Sequence, residues 1–111
     1  MTQISSQLAK YVEEYFKARN LKIPTFFEAM AWMQTEVGET YEVWLAKFNF
    51  ARNNPEAHPP FSEEKLAEEL GDVLLMIMVA GLTQGVNPLW AMLRKMSKHI
   101  KIEGFEEAQD D

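Results

Sequence analysis

Apolar residues recur at steps of three and four in four separate segments of this chain, and no segment alternates with period two over a useful length. Steps of three and four place side chains on one face of an α-helix, whereas a half-buried strand requires alternation. The chain has 111 residues, 47% of them apolar, which is typical of one globular domain. The sequence therefore predicts an all-α domain of four helices.

The first two helices are predicted from apolar stripes and a start signal. The first runs from Ile4 to Arg19. Thr25 followed by Glu28 has the spacing of a capping box, and we expect the second helix to continue from there to about Arg52. The expected inward residues are Ile4, Leu8, Tyr11, Val12, Tyr15 and Phe16 in the first helix, and Met30, Met33, Val37, Tyr41, Trp44 and Phe48 in the second.

The last two helices are bounded by clearer signals. Ser62 is the expected N-cap of a third helix that runs to about Gln84 and stops at Gly85. Asn87 caps the fourth helix and Pro88 takes its first position. We expect the apolar run VLLMIMVAGL to be central in the core, and the inward face of the fourth helix to be Leu89, Leu93, Met96 and Ile100.

Composition and charge exclude several classes of protein. The chain has no Cys, which excludes disulfides, thiolate zinc sites and a Cys nucleophile. Its net charge of −6 argues against binding a nucleic acid polymer. The N-terminus lacks the pattern of a signal peptide, and the longest apolar run is about half of what a bilayer requires. We expect a cytoplasmic protein with no membrane contact, folded over residues 1–104, with an acidic, flexible tail over 105–111.

Two acidic tetrads share one template of acid, branched apolar residue, glycine and acid. They are Glu36-Val37-Gly38-Glu39 and Glu69-Leu70-Gly71-Asp72. Each lies inside a predicted helix, where glycine costs about 1 kcal/mol relative to alanine. Acids three residues apart share a helical face, so each tetrad presents a pair of carboxylates.

Two interpretations of the tetrads stay open at this point. In the first, the glycines allow close helix packing and the acids lie on a wet surface. In the second, the tetrads face each other and four carboxylates converge, which is stable only with protons or cations bound. An all-oxygen ligand set without Cys or His selects hard ions, hence Mg²⁺ or Mn²⁺.

A di-iron carboxylate bundle also uses clustered helical glutamates. It requires a Glu-x-x-His motif on each of two helices. The two histidines are His58, in the proline-rich segment, and His99, late in the last helix, and neither has that spacing. The sequence therefore argues against a di-iron centre.

The two tetrads, with the long gap between them, resemble the MazG-like family of all-α nucleoside triphosphate pyrophosphohydrolases. The segments MQTEVGETYEVWL and AEELGDVLLM resemble its metal-binding helices, and VNPLWAMLRKMSKHIK resembles its closing basic helix. The resemblance covers about Phe26 to Lys101. Two features depart from the pattern: Thr35 stands where many members have a further acid, and the asparagine that several members have late in the last helix is not clearly present.

The resemblance implies a four-helix bundle completed as a homodimer or homotetramer. It also implies Mg²⁺-dependent cleavage between the α and β phosphates of a nucleoside triphosphate or its deoxy form, giving a monophosphate and pyrophosphate. Mg²⁺, with Mn²⁺ as an alternative, would be held by Glu36, Glu39, Glu69 and Asp72. Glu39 is the expected catalytic residue, orienting or deprotonating water.

Substrate contacts are expected from basic and aromatic side chains. Lys95 and Lys98 lie three apart on the last helix and are candidates for phosphate contact, although a solvated helix end is the more common reason for such cations. Trp44 is a candidate for stacking on the base, although aromatics at helical spacing are more often core or interface. An alternative function is a non-catalytic helical dimer that acts as a protein-interaction module.

Overall fold

The structure, a computed structural model, describes residues 3–48 and 60–105. Within those residues every regular element is helical, which confirms the all-α prediction. The helices are α1 (Gln3–Ala18), α2 (Phe26–Leu45), a single 3₁₀ turn (Ala46–Phe48), α3 (Glu63–Thr83) and α4 (Pro88–Ser97). None of the described helices combines the length and the apolar character that crossing a bilayer demands.

The predicted helix starts are confirmed by their hydrogen bonds. The Glu28 N–H donates to Thr25 Oγ1 at 3.2 Å and the Thr25 N–H donates to Glu28 Oε1 at 3.0 Å, which completes the capping box. Ser62 caps α3 and Asn87 caps α4, with Pro88 in the first turn of α4. These side chains satisfy N–H groups that have no partner inside the helix.

The predicted extension of the second helix to Arg52 is wrong within the described residues. The α-helix ends at Leu45 and the chain continues as the 3₁₀ turn to Phe48. Apolar residues keep their spacing through such a turn, so periodicity alone does not mark where the α-helix ends. Residues 49–59, which include His58, and the acidic end of the tail, 106–111, lie outside the described residues.

Helix α3 is central, as its apolar run predicts. It packs along α2 and also contacts α1 and α4. The buried core consists of Val12, Phe16, Ala29, Met76, Met78, Val79 and Ala80. Four of these seven residues come from the run VLLMIMVAGL, so this segment supplies most of the burial that holds the chain together.

The predicted inward stripe of the second helix is only partly correct. Met30 and Met33 pack against the core, but Val37, Tyr41, Trp44 and Phe48 are 39 to 58% exposed. We call these four residues the open face of α2. Helix α2 has α3 as its main helical neighbour, and α1 and α4 pack on α3 instead, so none of the other described helices covers the open face.

The stripes of the outer helices are also only partly buried. In α1, Val12 and Phe16 are buried, whereas Leu8, Tyr11 and Tyr15 are exposed. Of the expected inward residues of the fourth helix, Met96 is likewise exposed in α4, and Ile100 is exposed beyond Ser97, where α4 ends. Both helices have one main packing partner, α3, so each buries a narrower strip than its apolar pattern allows.

One hydrogen bond joins the two ends of the described chain. The Asn87 side-chain amide donates to the Ser5 carbonyl at 2.8 Å, while its oxygen accepts from the Leu89 and Trp90 N–H groups. Asn87 and Ser5 are both buried. A single side chain therefore caps α4 and ties the start of α1 to it.

The helical glycines fall into two groups. A Cβ at Gly81 would overlap Pro88 Cγ and lie 2.6 Å from Pro88 Cδ, so a side chain there would separate α3 from the start of α4. A Cβ at Gly38 or Gly71 would meet nothing within 4 Å. Close helix packing is therefore not the reason for the two tetrad glycines in this chain.

We expect Gly81→Ala and Gly71→Ala to change stability in opposite directions. Gly81→Ala lowers the free energy of unfolding by about 1–3 kcal/mol because the new methyl group collides with Pro88. Gly71→Ala raises it by about 0.5–1 kcal/mol because alanine is the better helix former in open space. Urea denaturation of both variants checks this. Destabilisation of equal size at both positions would contradict the difference in packing.

Candidate metal centre

The seam between α2 and α3 brings three carboxylates together. One oxygen each from Glu36, Glu69 and Asp72 lies within 4.8 Å of the other two. Glu36 comes from the middle of α2, and Glu69 and Asp72 come from successive turns of α3. The prediction that the two tetrads face each other is confirmed for these three residues.

Two oxygens of this cluster are buried without a hydrogen-bond partner. Glu69 as a whole is only 7% exposed, and its Oε2 is buried and unpartnered. The Oε2 atom of Glu36 is in the same state. Removing an anionic oxygen from water without a replacement partner costs several kcal/mol. A cation bound beside these two atoms would therefore lower the free energy of the folded protein.

The second oxygen of each glutamate is already occupied. The Trp32 indole N–H donates to Glu36 Oε1 at 2.9 Å. The Lys65 ammonium pairs with Glu69 Oε1 at 3.1 Å and lies 4.0 Å from Glu68 Oε2. The hydrogen bond and charge of Glu69 raise the pKa of Lys65, so this side chain stays charged and offsets part of the negative charge.

Glu39, the fourth predicted ligand, lies beside this group but is not one of its three members. Its carboxyl is exposed, and its pKa is raised above the ordinary 4.5 mainly by repulsion from Glu36, with smaller contributions from burial and from Glu69. The raised pKa shows that Glu39 is electrostatically part of the acidic site. Glu39 and Asp72 are the two exposed carboxylates of the tetrads, and Glu39 is the one outside the group of three.

The carboxylates lie between two cavities. Glu39 and Glu69 line the first, of about 190 Å³, together with Lys65. Glu36 and Asp72 line the second, of about 280 Å³. Because the first acid of one tetrad lines a cavity with the last acid of the other, α2 and α3 run antiparallel at the seam.

The second cavity combines carboxylates with cations and aromatic rings. Its wall includes Arg19 and Lys22 near the end of α1, and Trp32 on α2. The Arg19 guanidinium donates to the Tyr15 hydroxyl at 2.7 Å and lies 5.5 Å from the centre of that ring. We call this space the basic cavity. It is open at the surface, and its wall carries two positive charges together with the carboxylates of Glu36 and Asp72.

The donor set fits a hard divalent cation. Among the described residues it consists of carboxylate oxygens alone, with no His, and it includes two oxygens without partners. Mg²⁺ and Mn²⁺ prefer oxygen ligands of this kind. A cluster of three acidic residues that can bind a metal ion is therefore present at the place the tetrads predict.

The other predicted site residues lie elsewhere. Lys95 and Lys98 are exposed at the end of α4, and neither is among the described residues that line the two cavities beside the carboxylates. Trp44 belongs to the open face of α2, where its ring stacks on Tyr41 and contacts Phe48. Phosphate contact by the two lysines and base stacking by Trp44 stay predictions.

Sequence reasoning missed three cations that the fold places beside the carboxylates. Arg19 and Lys22 come from the end of α1 and the loop that follows, and no spacing rule connects them to the tetrads. The ion pair of Lys65 with Glu69 could have been predicted, because a lysine four residues before a glutamate shares its helical face.

No protein-family model, curated protein or solved structure matches this chain. Its resemblance to the MazG-like family stays a prediction, carried by the two tetrads. The function proposed below depends on the geometry of the site.

We expect Glu39→Gln to raise the melting temperature of the metal-free protein by a few degrees at pH 7. The raised pKa of Glu39 means that its charge opposes folding above the folded-state pKa, and the amide removes that charge. The gain should vanish below about pH 4, where Glu39 is protonated in both folded and unfolded chains. Thermal melts in EDTA across this pH range check it.

The matched control is Glu14→Gln, which removes one exposed carboxylate from α1 that lines neither cavity beside the tetrads. It should leave the melting temperature nearly unchanged at both pH values. An equal gain for Glu14→Gln and Glu39→Gln at pH 7 would mean that overall net charge, not repulsion within the site, is responsible.

Proposed function

We propose that this chain is a Mg²⁺-dependent nucleotide pyrophosphohydrolase that cleaves the bond between the α and β phosphates of nucleoside or deoxynucleoside triphosphates. The observation that carries the proposal is the convergence of Glu36, Glu69 and Asp72, with two buried unpartnered oxygens, next to the basic cavity. A triphosphate requires both parts: hard cations to neutralise its charge and further positive groups to hold its ends.

Glu36, Glu69 and Asp72 would hold the metal, with Glu39 completing the set. When bound, Mg²⁺ neutralises phosphate charge and acidifies a water molecule. The chain's own contribution is to hold the carboxylates in place along two packed helices, where their spacing does not depend on a loop.

Glu39 is the proposed general base. Its side chain is exposed and outside the tightest group of ligands, so it is free to accept a proton from water. Repulsion from Glu36 raises its pKa in the metal-free chain, and a bound cation would lower that pKa again, so its proposed role rests on its exposed position beside the ligands.

The basic cavity is the proposed substrate site. Arg19 and Lys22 are positioned to bind phosphate oxygens, and the guanidinium of Arg19 offers a bidentate contact. Trp32 and Tyr15 supply aromatic surface for a base on the same wall. Lys95 and Lys98 would enter the site only if a neighbouring copy or a movement of α4 brings them there, and Trp44, which lies on α2, only if a neighbouring copy does.

We further propose that the protein is a homodimer or homotetramer. Its radius of gyration is 17.1 Å, against about 13 Å for a compact domain of this length. The open face of α2 leaves four large apolar side chains in water, and Phe27 is 81% exposed. A second copy that covers these residues would complete the bundle.

The second candidate is a helical dimer without catalytic activity that binds a partner protein. The open face of α2 supports it, because contiguous exposed apolar residues mark interaction surfaces. It does not account for the buried unpartnered oxygens of Glu36 and Glu69, which is why the enzyme is proposed first.

We expect pyrophosphate release from at least one member of a panel of ribo- and deoxyribonucleoside triphosphates in Mg²⁺. Phosphoribosyl-ATP belongs in the panel because a similar helical fold hydrolyses it. Loss of a residue that only orients a metal ligand lowers activity by up to ~100-fold. Asp72→Asn and Glu69→Gln remove ligands themselves, so each should lower kcat/KM by more than that. Coupled pyrophosphate assays measure this, with Glu14→Gln as the control for charge.

Calorimetry with Mn²⁺ separates the two candidate functions. The enzyme requires heat of metal binding and a higher melting temperature with metal bound, both lost in Asp72→Asn. Metal binding without turnover on any nucleotide would contradict the proposed substrate class. Absence of metal binding would contradict the enzyme and favour the interaction module.

We expect analytical ultracentrifugation to show a dimer or tetramer at micromolar concentration. Tyr41→Glu places a charge in the open face of α2 and should shift the protein towards monomer. Tyr11→Glu makes the same change at an exposed tyrosine of α1 and should have the smaller effect. A wild-type protein that sediments as a monomer would contradict the proposed assembly.

A further inference from the structure

Glu36 and Glu69 are held in the same way on two different helices. Each accepts a hydrogen bond at Oε1 from a side chain four residues earlier on its own helix, Trp32 for Glu36 and Lys65 for Glu69. Each leaves Oε2 buried and without a partner. The arrangement occupies one oxygen of each carboxylate and leaves the other without a partner among the described residues.

Such a hydrogen bond fixes the direction of a carboxylate. The last torsion of a glutamate side chain is broad, so a free carboxylate exchanges its two oxygens by rotation. A donor at 2.9 Å on Oε1 of Glu36 removes that freedom before a cation arrives. Given the metal site proposed above, we infer that Trp32 is a positioning residue, whose indole N–H holds Glu36 so that Oε2 serves as a ligand for a divalent cation.

Trp32 isolates the effect of orientation better than Lys65 does. The Lys65 ammonium orients Glu69 and also neutralises it, so its removal changes two properties at once. The indole of Trp32 carries no charge, and replacing it with phenylalanine removes the N–H while keeping an apolar ring. Loss of the hydrogen bond then leaves the number of charges at the site unchanged.

Trp32 also connects the metal site to the basic cavity. One side chain both donates to Glu36 and forms part of the wall shared with Arg19 and Lys22. Binding of a cation at Glu36 Oε2 pulls on the same carboxylate that accepts from the indole. The environment of the Trp32 ring therefore changes when the cation binds, and its fluorescence reports the binding.

The test compares Trp32→Phe with Trp90→Phe, which is the same substitution on α4. The Trp90 indole N–H is buried and donates to no partner among the described residues, so its loss should not affect the site. We expect Trp32→Phe to raise the Kd for Mn²⁺ by roughly 10- to 100-fold in calorimetry, and Trp90→Phe to leave it unchanged. Mg²⁺ should alter the fluorescence of Trp90→Phe and not that of Trp32→Phe.

Each outcome bears on a different claim. Wild-type protein that binds no Mn²⁺ overturns the metal site and the role of Trp32 together. Wild type and Trp32→Phe that bind Mn²⁺ equally overturn the role of Trp32 alone. If Trp32→Phe does not fold, the sulfur isostere of tryptophan (benzothienylalanine), introduced at position 32, keeps both rings and removes only the N–H. An unchanged Kd in that protein overturns the role.

Discussion

Packing of α2 against α3 is the constraint on which the rest of the structure depends. The two helices are antiparallel at their seam, and α3 carries most of the buried core. The same contact that buries Met76 and Val79 forces Glu36, Glu69 and Asp72 into one place. Apolar burial along α3 therefore holds together charges that would otherwise move apart, and the chain accepts a local electrostatic cost at the site.

Partners already present in the chain reduce that cost without removing it. Lys65 neutralises part of the charge on Glu69, and the Trp32 indole satisfies one oxygen of Glu36. Two oxygens stay buried without partners, and the pKa of Glu39 is raised by its neighbours. Folding thus leaves negative charge without a compensating partner in one small region, which is expected of a binding site and not of a packed core.

Features that depend on local sequence could be predicted. Thr25, Ser62 and Asn87 each act within three residues, so their caps follow from spacing alone. The convergence of the two tetrads needed one further assumption, that the helices carrying them pack side by side. Features set by three-dimensional neighbours could not be predicted: the period of α2 identifies an apolar face, but it does not tell which helix covers Val37 or Tyr41.

The hydrogen bond from Asn87 to Ser5 has a consequence for the order of folding. It joins residues 82 positions apart, and closing a loop of that length costs about 4 kcal/mol of chain entropy. One hydrogen bond returns only about 1 kcal/mol, so α1 docks only when Val12 and Phe16 are buried at the same time. Docking of the first helix is accordingly a late, cooperative event, although a ribosome would make that helix first. Arg19 reaches its place in the cavity wall only after α3, which supplies Asp72 and Met76 to that wall, has been synthesised.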